Sequence, residues 1–585
     1  MQVKAAKDGV AFKRAGFSTL IEALEYAAQG DGAVNFYGSR GEAVCSLSYA
    51  ELRDDARALG RGLLSLGYDK GSRLAIVAET EACFHRFFFA CQYAGMVPVP
   101  LPAGIQMGAH DSYVKQLRQM LASCGAVAAV SPSSHIHFLQ EAAAQETDIK
   151  VGLPDDFPYI TDASVALRPL AQDDLAYLQY TSGSTRFPRG VEITQHAALW
   201  NVEEISVNGL NLDEQDRFVS WLPLYHDMGL VGFVLLPLVN QLSADLLSPR
   251  TFAMRPRLWL KILSDNRGTI SSSPPFGYAL CARRLRAADT EKYDLSYWRA
   301  ACVGADRIYP KPLRDFARAL APAGFKPSAF VACYGMAECA LAVSFAPLNT
   351  GFEVDVVSRK RMSEHLLAEP VVCEDGKDEK ETLLFVDCGS LLPSYEMCIR
   401  DARGFEVNER CCGTIFLRGP SVMRGYFQNP VATAEVLDQQ GWLNTGDIGY
   451  RVGDRIYITA RGKDVIIING RNVWPQDLEH LADGLHGVRQ ASVSAFAAST
   501  VWGEEVAVLV VESRERETCK REQISTTLTA RAHAHFGIHV YVDLVEPGVV
   551  SRTSSGKLSR AKTRTEFYAR APAEFSQFRV NGAAG

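Results

Sequence analysis

The chain has 585 residues and a formal net charge of −6, with 47% hydrophobic and 22% charged residues. A chain of this length is too long to fold around a single hydrophobic core, so we expect two or more domains. The weakly acidic charge gives no electrostatic basis for binding nucleic acid or an anionic membrane. The longest apolar run, at 229–239, is too short for an integral membrane segment, and no secretory signal is apparent. Fourteen cysteines without a C-x-x-C pair favour free thiols and a cytoplasmic location.

Apolar spacing predicts alternating helices and strands over the first half of the chain. A helix is predicted at 48–66, where Ser48 and Glu51 form a capping-box signature. Further predicted elements are a helix at 82–94 and strands at 73–78, 96–101, 126–130, 217–221 and 300–303. This alternation indicates an α/β fold with mainly parallel sheets covered by helices.

The pattern changes near residue 383, where short β-rich segments begin. Predicted strands at 396–400, 413–418 and 455–459 indicate a small β-barrel or a distorted sheet. After Arg461 the chain predicts a compact α+β piece, with segments at 465–468, 476–485, 491–497 and 506–512 and a helix at about 520–535. We expect a larger domain at 1–460, with its β-rich subdomain at about 383–460, and a smaller domain at 465–585.

A loop rich in hydroxyl groups occupies residues 180–191, YTSGSTRFPRGV. Gly183 lets the backbone approach a ligand closely, and four hydroxyls with a run of backbone N–H groups suit phosphate oxygens. The spacing of a Walker loop is absent. Taken alone, the loop is equally well a polar surface turn.

Five further motifs follow, none of them diagnostic alone. They are WLPLYHDMG at 221–229, VGAD at 303–306, VACYGMAE at 331–338, GWLNTGDIGY at 441–450 and SRTSSGKL at 551–558. A lone histidine such as His226 is usually structural. Asp447 could belong to a β-turn, and Lys557 could be an exposed lysine in a serine-rich segment. Taken together, the order and spacing of the motifs along the chain favour a functional interpretation.

Together these motifs resemble those of the adenylate-forming superfamily, which contains acyl-CoA synthetases, peptide-synthetase adenylation domains, luciferases and fatty acyl-AMP ligases. The loop at 180–191 is similar to the family pattern YTSGSTGxPKGV, with Arg186 at a usual glycine and Arg189 at a usual lysine. The resemblance implies a large N-terminal domain of two helix-covered, mainly parallel sheets plus a β-barrel-like subdomain. It also implies a small mobile C-terminal α+β domain, joined through a hinge at 461–464.

The resemblance implies ATP and Mg²⁺ as cofactors. The implied cofactor-binding residues are Thr181, Ser182, Gly183, Ser184, Thr185 and Arg189 in the phosphate loop, Gly304, Ala305, Asp306, Tyr334, Gly335 and Met336 in the adenine motifs, and Asp447 and Arg461 at the ribose. Tyr334 would stack on adenine, and both oxygens of Asp447 would accept from the ribose hydroxyls. Glu338 and Thr185 would hold Mg²⁺, which prefers oxygen ligands.

The implied catalytic residues are Lys557, His226, Glu338 and Thr185. Lys557 would enter the site from the small domain and neutralise charge between the carboxylate and the α-phosphate in the transition state. His226 would donate a hydrogen bond to the acyl oxygen. It is not expected to act as a general base, because the substrate carboxylate is already deprotonated at neutral pH.

Residues 349–389 are the most informative about the subfamily. They contain the charged run EDGKDEKE at 374–381 and end in LFVDCG at 384–389. This segment resembles the insertion of fatty acyl-AMP ligases, and GRNVWPQD at 470–477 is a further match. In that family the insertion hinders thioester formation with coenzyme A.

The resemblance to fatty acyl-AMP ligases implies ATP-dependent conversion of a fatty acid to acyl-AMP with release of pyrophosphate. The acyl group would then pass to the phosphopantetheine arm of a separate acyl carrier protein, in lipid, polyketide or lipopeptide biosynthesis.

Two alternatives to that activity remain open. The chain could be an acyl-CoA synthetase. It could also be a catalytically silent adenylate-binding or scaffold protein, but the intact Glu338, Asp447, Arg461 and Lys557 argue against this. Apolar residues at 221–239 and 272–278 either line an acyl tunnel or belong to the core.

Overall fold

The structure is a computed structural model that describes residues 10–104, 110–144, 149–181, 188–286, 290–371, 381–468, 471–502, 504–553 and 557–575. In those ranges no helix is both long enough and apolar enough to cross a membrane. The thirteen cysteines in the same ranges are free thiols.

A large mixed sheet forms the centre of the N-terminal part. Its strands in spatial order are Glu396–Arg400, Gly413–Arg418, Leu443–Val452, Arg455–Arg461, Thr382–Leu391, Ala342–Phe345, Phe330–Gly335, Ala300–Val303, Ile270–Ser273, Phe218–Ser220, Ala244–Leu247, Ala33–Tyr37 and Ala43–Ser48, and Val354–Ser358 pairs beside Thr382–Leu391. The strands from Phe330–Gly335 to Ala33–Tyr37 pair in parallel. Because carboxyl ends of parallel strands meet at one edge, the residues that follow neighbouring strands lie close together there.

The β-rich segment continues this large sheet. Its strands pair antiparallel and are joined to the parallel strands through Ala342–Phe345. Register shifts interrupt four of these pairings, and such irregularities bend and twist a sheet. The segment therefore wraps one end of the parallel sheet and brings residues 443–461 towards its carboxyl edge.

A second, four-stranded sheet is parallel throughout. Its spatial order is Val97–Leu101, Arg73–Val77, Ala126–Val130 and Lys150–Gly152. The apolar segments that flank the loop at 180–191 are the strands Leu175–Tyr180 and Gly190–Thr194 of an antiparallel hairpin. The predicted α/β fold with two mainly parallel sheets is confirmed.

Helices cover both sheets. The described α-helices of the N-terminal part are Leu20–Ala27, Tyr49–Ser65, Ala82–Ala94, His110–Cys124, Ile136–Ala143, Gln195–Glu204, Asp227–Leu230, Leu236–Val239, Pro249–Met254, Arg257–Asp265, Pro275–Arg284, Pro310–Leu320, Arg359–His365 and Pro430–Ala434. The predicted capping box is present, because Ser48 accepts from the N–H of Glu51 and Glu51 accepts from the N–H of Ser48 at 2.9 Å. The apolar run at 229–239 is buried and contains a π-helical turn, Val231–Leu235.

Aromatic rings fill the space between the large sheet and its helices. Trp259, Tyr278, Phe316 and Phe330 are among the largest fully buried side chains, and the rings of Tyr278 and Phe316 meet edge to face at 5.1 Å. Truncating a ring of this kind costs about 3–5 kcal/mol. This rigid core supports the strand ends that carry the candidate site.

The C-terminal part has a core of its own. It contains the turn Gly462–Asp464, the hairpin of Ile466–Ile468 and Arg471–Val473, the sheet of Val488–Ser499, Glu505–Ser513 and Val540–Val545, and the helices Pro475–His480, Thr518–Phe536 and Arg560–Arg570. Within the segment at 476–485 the helix ends at His480, and the chain then turns through Gly484 and Gly487 at positive φ. The compact α+β arrangement is as predicted, while its mobility and the domain boundaries stay predictions.

Candidate active site

A cavity of about 1250 Å³ lies at the carboxyl edge of the central parallel strands. The structure brings most predicted site residues to its wall, namely Thr181, Arg189, His226, Gly304, Ala305, Asp306, Tyr334, Gly335, Met336, Glu338, Arg461 and Lys557. Asp447 lies behind this wall and is bonded to two of these residues. Ser182, Gly183, Ser184 and Thr185 lie outside the residues that the structure describes.

Asp447 links two residues predicted to bind the nucleotide. The hydroxyl of Tyr334 donates to Oδ2 of Asp447 at 2.7 Å, and Nε of Arg461 lies 3.0 Å from Oδ1. Arg461 also donates to the carbonyl of Thr445 at 2.8 Å. The Asp447 carboxylate raises the pKa of the Arg461 guanidinium. A carboxylate has about four acceptor positions, so Asp447 keeps capacity for ribose hydroxyls while its orientation is fixed.

The adenine motifs occupy the ends of two neighbouring parallel strands. Gly304 follows Ala300–Val303, and a Cβ there would lie 2.7 Å from the carbonyl oxygen of Cys333 on the adjacent strand. A Cβ on Gly335 would lie 1.9 Å from the carbonyl oxygen of Leu341. Only glycine fits either position, because a side chain would collide with the backbone of the neighbouring segment.

Glu338 lies in the cavity wall in a short turn after Gly335. The hydroxyl of Tyr426 donates to its Oε1 at 2.9 Å. Burial raises the pKa of the Glu338 carboxyl, against the lowering effects of Arg461 and of the Tyr426 hydrogen bond. A desolvated carboxylate of this kind fits a bound cation, since a nearby positive charge favours its ionised form.

The predicted magnesium site is only partly visible. Among the described residues there is no group of three or more histidine, cysteine, aspartate or glutamate side chains arranged to hold a metal. Glu338 is available in the cavity, whereas its predicted partner Thr185 lies outside the described ranges. Mg²⁺ usually keeps several waters and bridges one or two carboxylates to phosphate, so a single protein carboxylate is compatible with that role.

Lys557 reaches the cavity from the C-terminal part. The N–H of Thr553 donates to the carbonyl of Lys557 at 2.8 Å, which fixes the backbone of Lys557 relative to Thr553. Burial lowers the pKa of the Lys557 ammonium, against the raising effects of Asp306 and Asp227. Lys557 lines the same cavity as Asp306 and Asp227, where its ammonium can offset a developing negative charge.

His226 and Asp227 form a pair at the start of the helix Asp227–Leu230. Nδ1 of His226 contacts Oδ1 of Asp227 and lies 3.4 Å from the N–H of Met228. Burial acts to raise the pKa of Asp227, but His226 and Lys557 outweigh it, so the net pKa is lowered. An ionised Asp227 thus orients the imidazole from one side and leaves Nε2 as the nitrogen available to a substrate.

The described ends of the phosphate loop are held together. The N–H of Thr181 donates to the carbonyl of Arg189 at 3.0 Å, and the N–H of Arg189 donates to the Thr181 hydroxyl at 3.3 Å. The Arg189 guanidinium lies 5.0 Å from the ring centroid of Tyr426 and 3.5 Å from Glu435. Arg189 therefore keeps its charge at the cavity, close to the residue that binds Glu338.

One branch of the cavity is apolar. It is lined by Ile205, Leu210, Phe218, Phe233, Leu236, Ile270, Phe276 and Phe345. The apolar residues at 221–239 and 272–278 are expected from the sequence either to line an acyl tunnel or to belong to the core, and the structure shows both. Phe233 and Leu236 line the cavity, whereas Trp221 and Tyr278 are buried in the core. This branch gives room for an aliphatic chain.

Three wall residues have no role assigned by the sequence. Gln179 donates to the carbonyl of Tyr225 at 2.6 Å and so ties the phosphate-loop hairpin to the His226 motif. Asp227 lies next to His226 in the motif at 221–229, and that motif could have identified it from the sequence. Tyr426 lies 88 residues beyond its partner Glu338, and no local pattern announces that contact.

The described part of the insertion contacts the C-terminal part. Nη2 of Arg471 lies 3.3 Å from Glu364, and the amide of Asn472 donates to the carbonyl of Ser363 at 3.2 Å. Trp474 packs in the same apolar cluster as Met362. Most of the charged run at 374–381 lies outside the described residues.

Comparison with known proteins agrees with this geometry. The AMP-binding enzyme family matches residues 25–427. A Caulobacter vibrioides protein provisionally named an acyl-CoA synthetase is 43% identical over 556 residues, which are 95% of this chain and 96% of that protein. JamA of Moorena producens, a medium-chain-fatty-acid–[acyl-carrier-protein] ligase, is 30% identical over 94% of this chain and 95% of its own length.

A solved structure shows the same fold. It comes from structural and functional studies of fatty acyl-adenylate ligases from E. coli and L. pneumophila, and it superimposes with a TM-score of 0.90 at 41% identity. The match covers 96% of this chain and 100% of that chain. The protein therefore belongs to the AMP-binding enzyme family, and its structural relatives include fatty acyl-adenylate ligases.

Proposed function

We propose that the protein activates a fatty acid as acyl-AMP and passes the acyl group to the phosphopantetheine thiol of a separate acyl carrier protein. One observation carries this proposal: a single cavity joins the Tyr334–Asp447–Arg461 corner to apolar side chains, with Lys557 in its wall. The name of JamA supports the choice of a fatty acid and a carrier protein.

The first step needs positioning more than proton transfer. A carboxylate oxygen of the fatty acid forms a bond to the α-phosphorus of ATP, the bond from that phosphorus to the β-phosphate oxygen breaks, and pyrophosphate leaves. The carboxylate is a weak nucleophile, so in-line alignment and charge stabilisation supply most of the catalysis. Lys557 neutralises charge between the two reactants, and Arg189 interacts with the departing phosphates.

His226 orients the acyl carboxylate in this scheme. Its Nδ1 is engaged by Asp227, so its Nε2 faces the substrate oxygen. Asp447 and Arg461 hold the ribose, and Gly304 and Gly335 present the backbone edge to adenine.

Mg²⁺ is proposed as the cofactor that accompanies ATP. It would be held by Glu338 together with phosphate oxygens, and it would supply charge neutralisation at the phosphates. The Tyr426 hydrogen bond keeps the Glu338 carboxylate turned towards the cavity.

In the second step the thiol sulfur of the carrier arm attacks the acyl carbon. The bond from that carbon to the phosphate oxygen breaks, AMP leaves and the thiol proton is released. A cytoplasmic location, predicted from the cysteine pattern, would keep such a thiol reduced.

Formation of a coenzyme A thioester is the second candidate function, favoured by the name of the Caulobacter relative. The two are separated by incubating the protein with ATP, Mg²⁺ and a fatty acid, with either coenzyme A or a panel of phosphopantetheinylated carrier proteins. Acylated carrier without acyl-CoA supports the proposal. Efficient acyl-CoA formation would replace it with an acyl-CoA synthetase.

A further inference from the structure

A buried ion pair joins the adenine edge to the C-terminal part. Nη1 of Arg307 lies 3.0 Å from Oδ1 of Asp477, and the two side chains are only 5% and 10% exposed. Arg307 directly follows Asp306 of the adenine motif, and Asp477 lies on the helix Pro475–His480. Asp477, in the motif at 470–477, thus contacts the residue that follows the adenine motif. The nucleotide chemistry proposed above assigns no role to this contact.

Aromatic contacts surround this pair. The ring of Tyr309 lies against that of His480, with centroids 3.9 Å apart. The guanidinium of Arg307 lies 4.9 Å from the centroid of Tyr309 and 4.8 Å from that of Phe385. One enclosed contact, here called the Arg307–Asp477 contact, is therefore formed by Arg307 and Tyr309 after the adenine motif and by Asp477 and His480 on the helix.

The same helix is connected to Lys557. Its Glu479 accepts two hydrogen bonds of 2.7 Å from Arg560, a bidentate geometry that fixes orientation as well as distance. Arg560 also donates to Asp464 of the turn Gly462–Asp464 at 3.1 Å. Because Arg560 lies three residues after Lys557, a displacement of the helix would move the segment that presents the ammonium.

We propose that Arg307 and Asp477 are positioning residues that fix the helix Pro475–His480 against the adenine edge and thereby hold Lys557 in place for adenylate formation. The proposal rests on the proposed function above. Acyl transfer replaces AMP by a thiol and needs no ammonium between a carboxylate and ATP, so it depends much less on this contact.

This difference between the two steps gives a test that simple instability does not mimic. Arg307→Met keeps the length of the stem and removes the charge, and Asp477→Asn keeps the shape. Because a buried charge that loses its partner is strongly disfavoured, each variant should lower the rate of acyl-AMP formation about tenfold or more at saturating ATP. Acylation of a carrier protein from supplied acyl-AMP should stay within about twofold of the parent rate.

The double variant tests the pairing itself. If the two residues act through one another, Arg307→Met with Asp477→Asn should be no slower than the slower single variant. Arg299→Met is the matched control, because Arg299 donates to the buried Asp216 at 2.8 Å within the large sheet. That control should lower thermal stability and leave the ratio of the two half-reaction rates unchanged.

A second readout follows the position of the C-terminal part directly. Trypsin cleavage at Arg461 or Lys463 should be several-fold faster in the two single variants than in the parent or in Arg299→Met. The proposal is overturned if the variants form acyl-AMP at the parental rate, or if both half-reactions fall together. A parent that forms no acyl-AMP would overturn the proposed function and this proposal with it, whereas parental rates in the variants would overturn this proposal alone.

Discussion

The hydroxyl of Tyr334 donates to the carboxylate of Asp447 across 113 residues of sequence, at a distance of 2.7 Å. This hydrogen bond joins the last parallel strand to the antiparallel strand Leu443–Val452, and both residues are buried. Burial and the Asp447 carboxylate raise the pKa of Tyr334 well above its usual value, so the phenol stays a donor. The Tyr334, Asp447 and Arg461 side chains, proposed to hold the ribose, are therefore fixed by contacts within the protein itself.

Replacing Asp447 should weaken nucleotide binding. Asp447→Asn removes the charge that faces Arg461 and replaces one acceptor by a donor, so we expect ATP binding to weaken roughly tenfold to a hundredfold. Tyr334→Phe should have a smaller effect in the same direction. Isothermal titration with ATP measures both.

The control for these variants is Tyr450→Phe. Tyr450, in the same β-rich region as Asp447, donates to Asp355 at 2.8 Å. Unlike Asp447, neither residue has a side-chain hydrogen bond to any described residue that lines the cavity. This variant should lose a little stability and keep parental ATP affinity. Equal affinity in Asp447→Asn and Tyr450→Phe would refute the ribose assignment.

Removing the Lys557 ammonium should stop the first half-reaction. Lys557→Ala should lower acyl-AMP formation by about 10²–10³-fold while ATP binding remains measurable, because the charge acts mainly in the transition state. Pyrophosphate release measures the rate. Lys562→Ala, at an exposed lysine on the following helix, should be close to parental, and full activity in Lys557→Ala would disprove the assignment.

The pH dependence of adenylate formation follows from the same residue. Burial lowers the pKa of Lys557, and the protonated ammonium is the active form. Activity should therefore fall as pH rises through a value below the ordinary lysine pKa of about 10.4. A profile of rate against pH for the parent and for Lys557→Arg checks this, since the guanidinium stays charged and that alkaline decline should disappear. An identical decline in both proteins would assign it to another group.

The insertion should limit thioester formation with coenzyme A. Trimming residues 349–381 removes Ser363 and Glu364, which contact the C-terminal part, so thioester formation should rise several-fold above the parent. Trimming also removes Met362, which is buried in the same apolar cluster as Trp474. Glu364→Gln is therefore a milder second variant, because it leaves that cluster intact. No gain in a folded trimmed protein would argue against a blocking role.

Local patterns predicted much of the fold. The capping box of Ser48 and Glu51 and the strand bounds at 126–130 and 300–303 depend on neighbours in sequence, and the structure has them as predicted. The segment at 476–485 is helical only as far as His480, and turn glycines follow at 484 and 487. The continuity of the β-rich segment with the large sheet depends on strand pairing over long separations, which periodicity does not encode.

The candidate site, like the fold, was only partly predictable from the sequence. Motif resemblance placed Tyr334, Glu338 and Lys557 at one cavity, and the structure brings them there. Contacts such as Tyr426 with Glu338 or Arg307 with Asp477 join distant segments and carry no signature in either partner alone. The hydroxyl-rich loop from Ser182 to Thr185 lies outside the described residues, so its phosphate-binding role stays a prediction.

Product analysis by mass spectrometry tests the central claim most directly. The protein would be incubated with ATP, Mg²⁺ and medium- and long-chain fatty acids, with and without coenzyme A. We predict that acyl-AMP and pyrophosphate form in both arms, and that coenzyme A adds little or no thioester. Rapid conversion to acyl-CoA would contradict the acyl-AMP ligase assignment, and the absence of acyl-AMP with every fatty acid would contradict fatty acid activation itself.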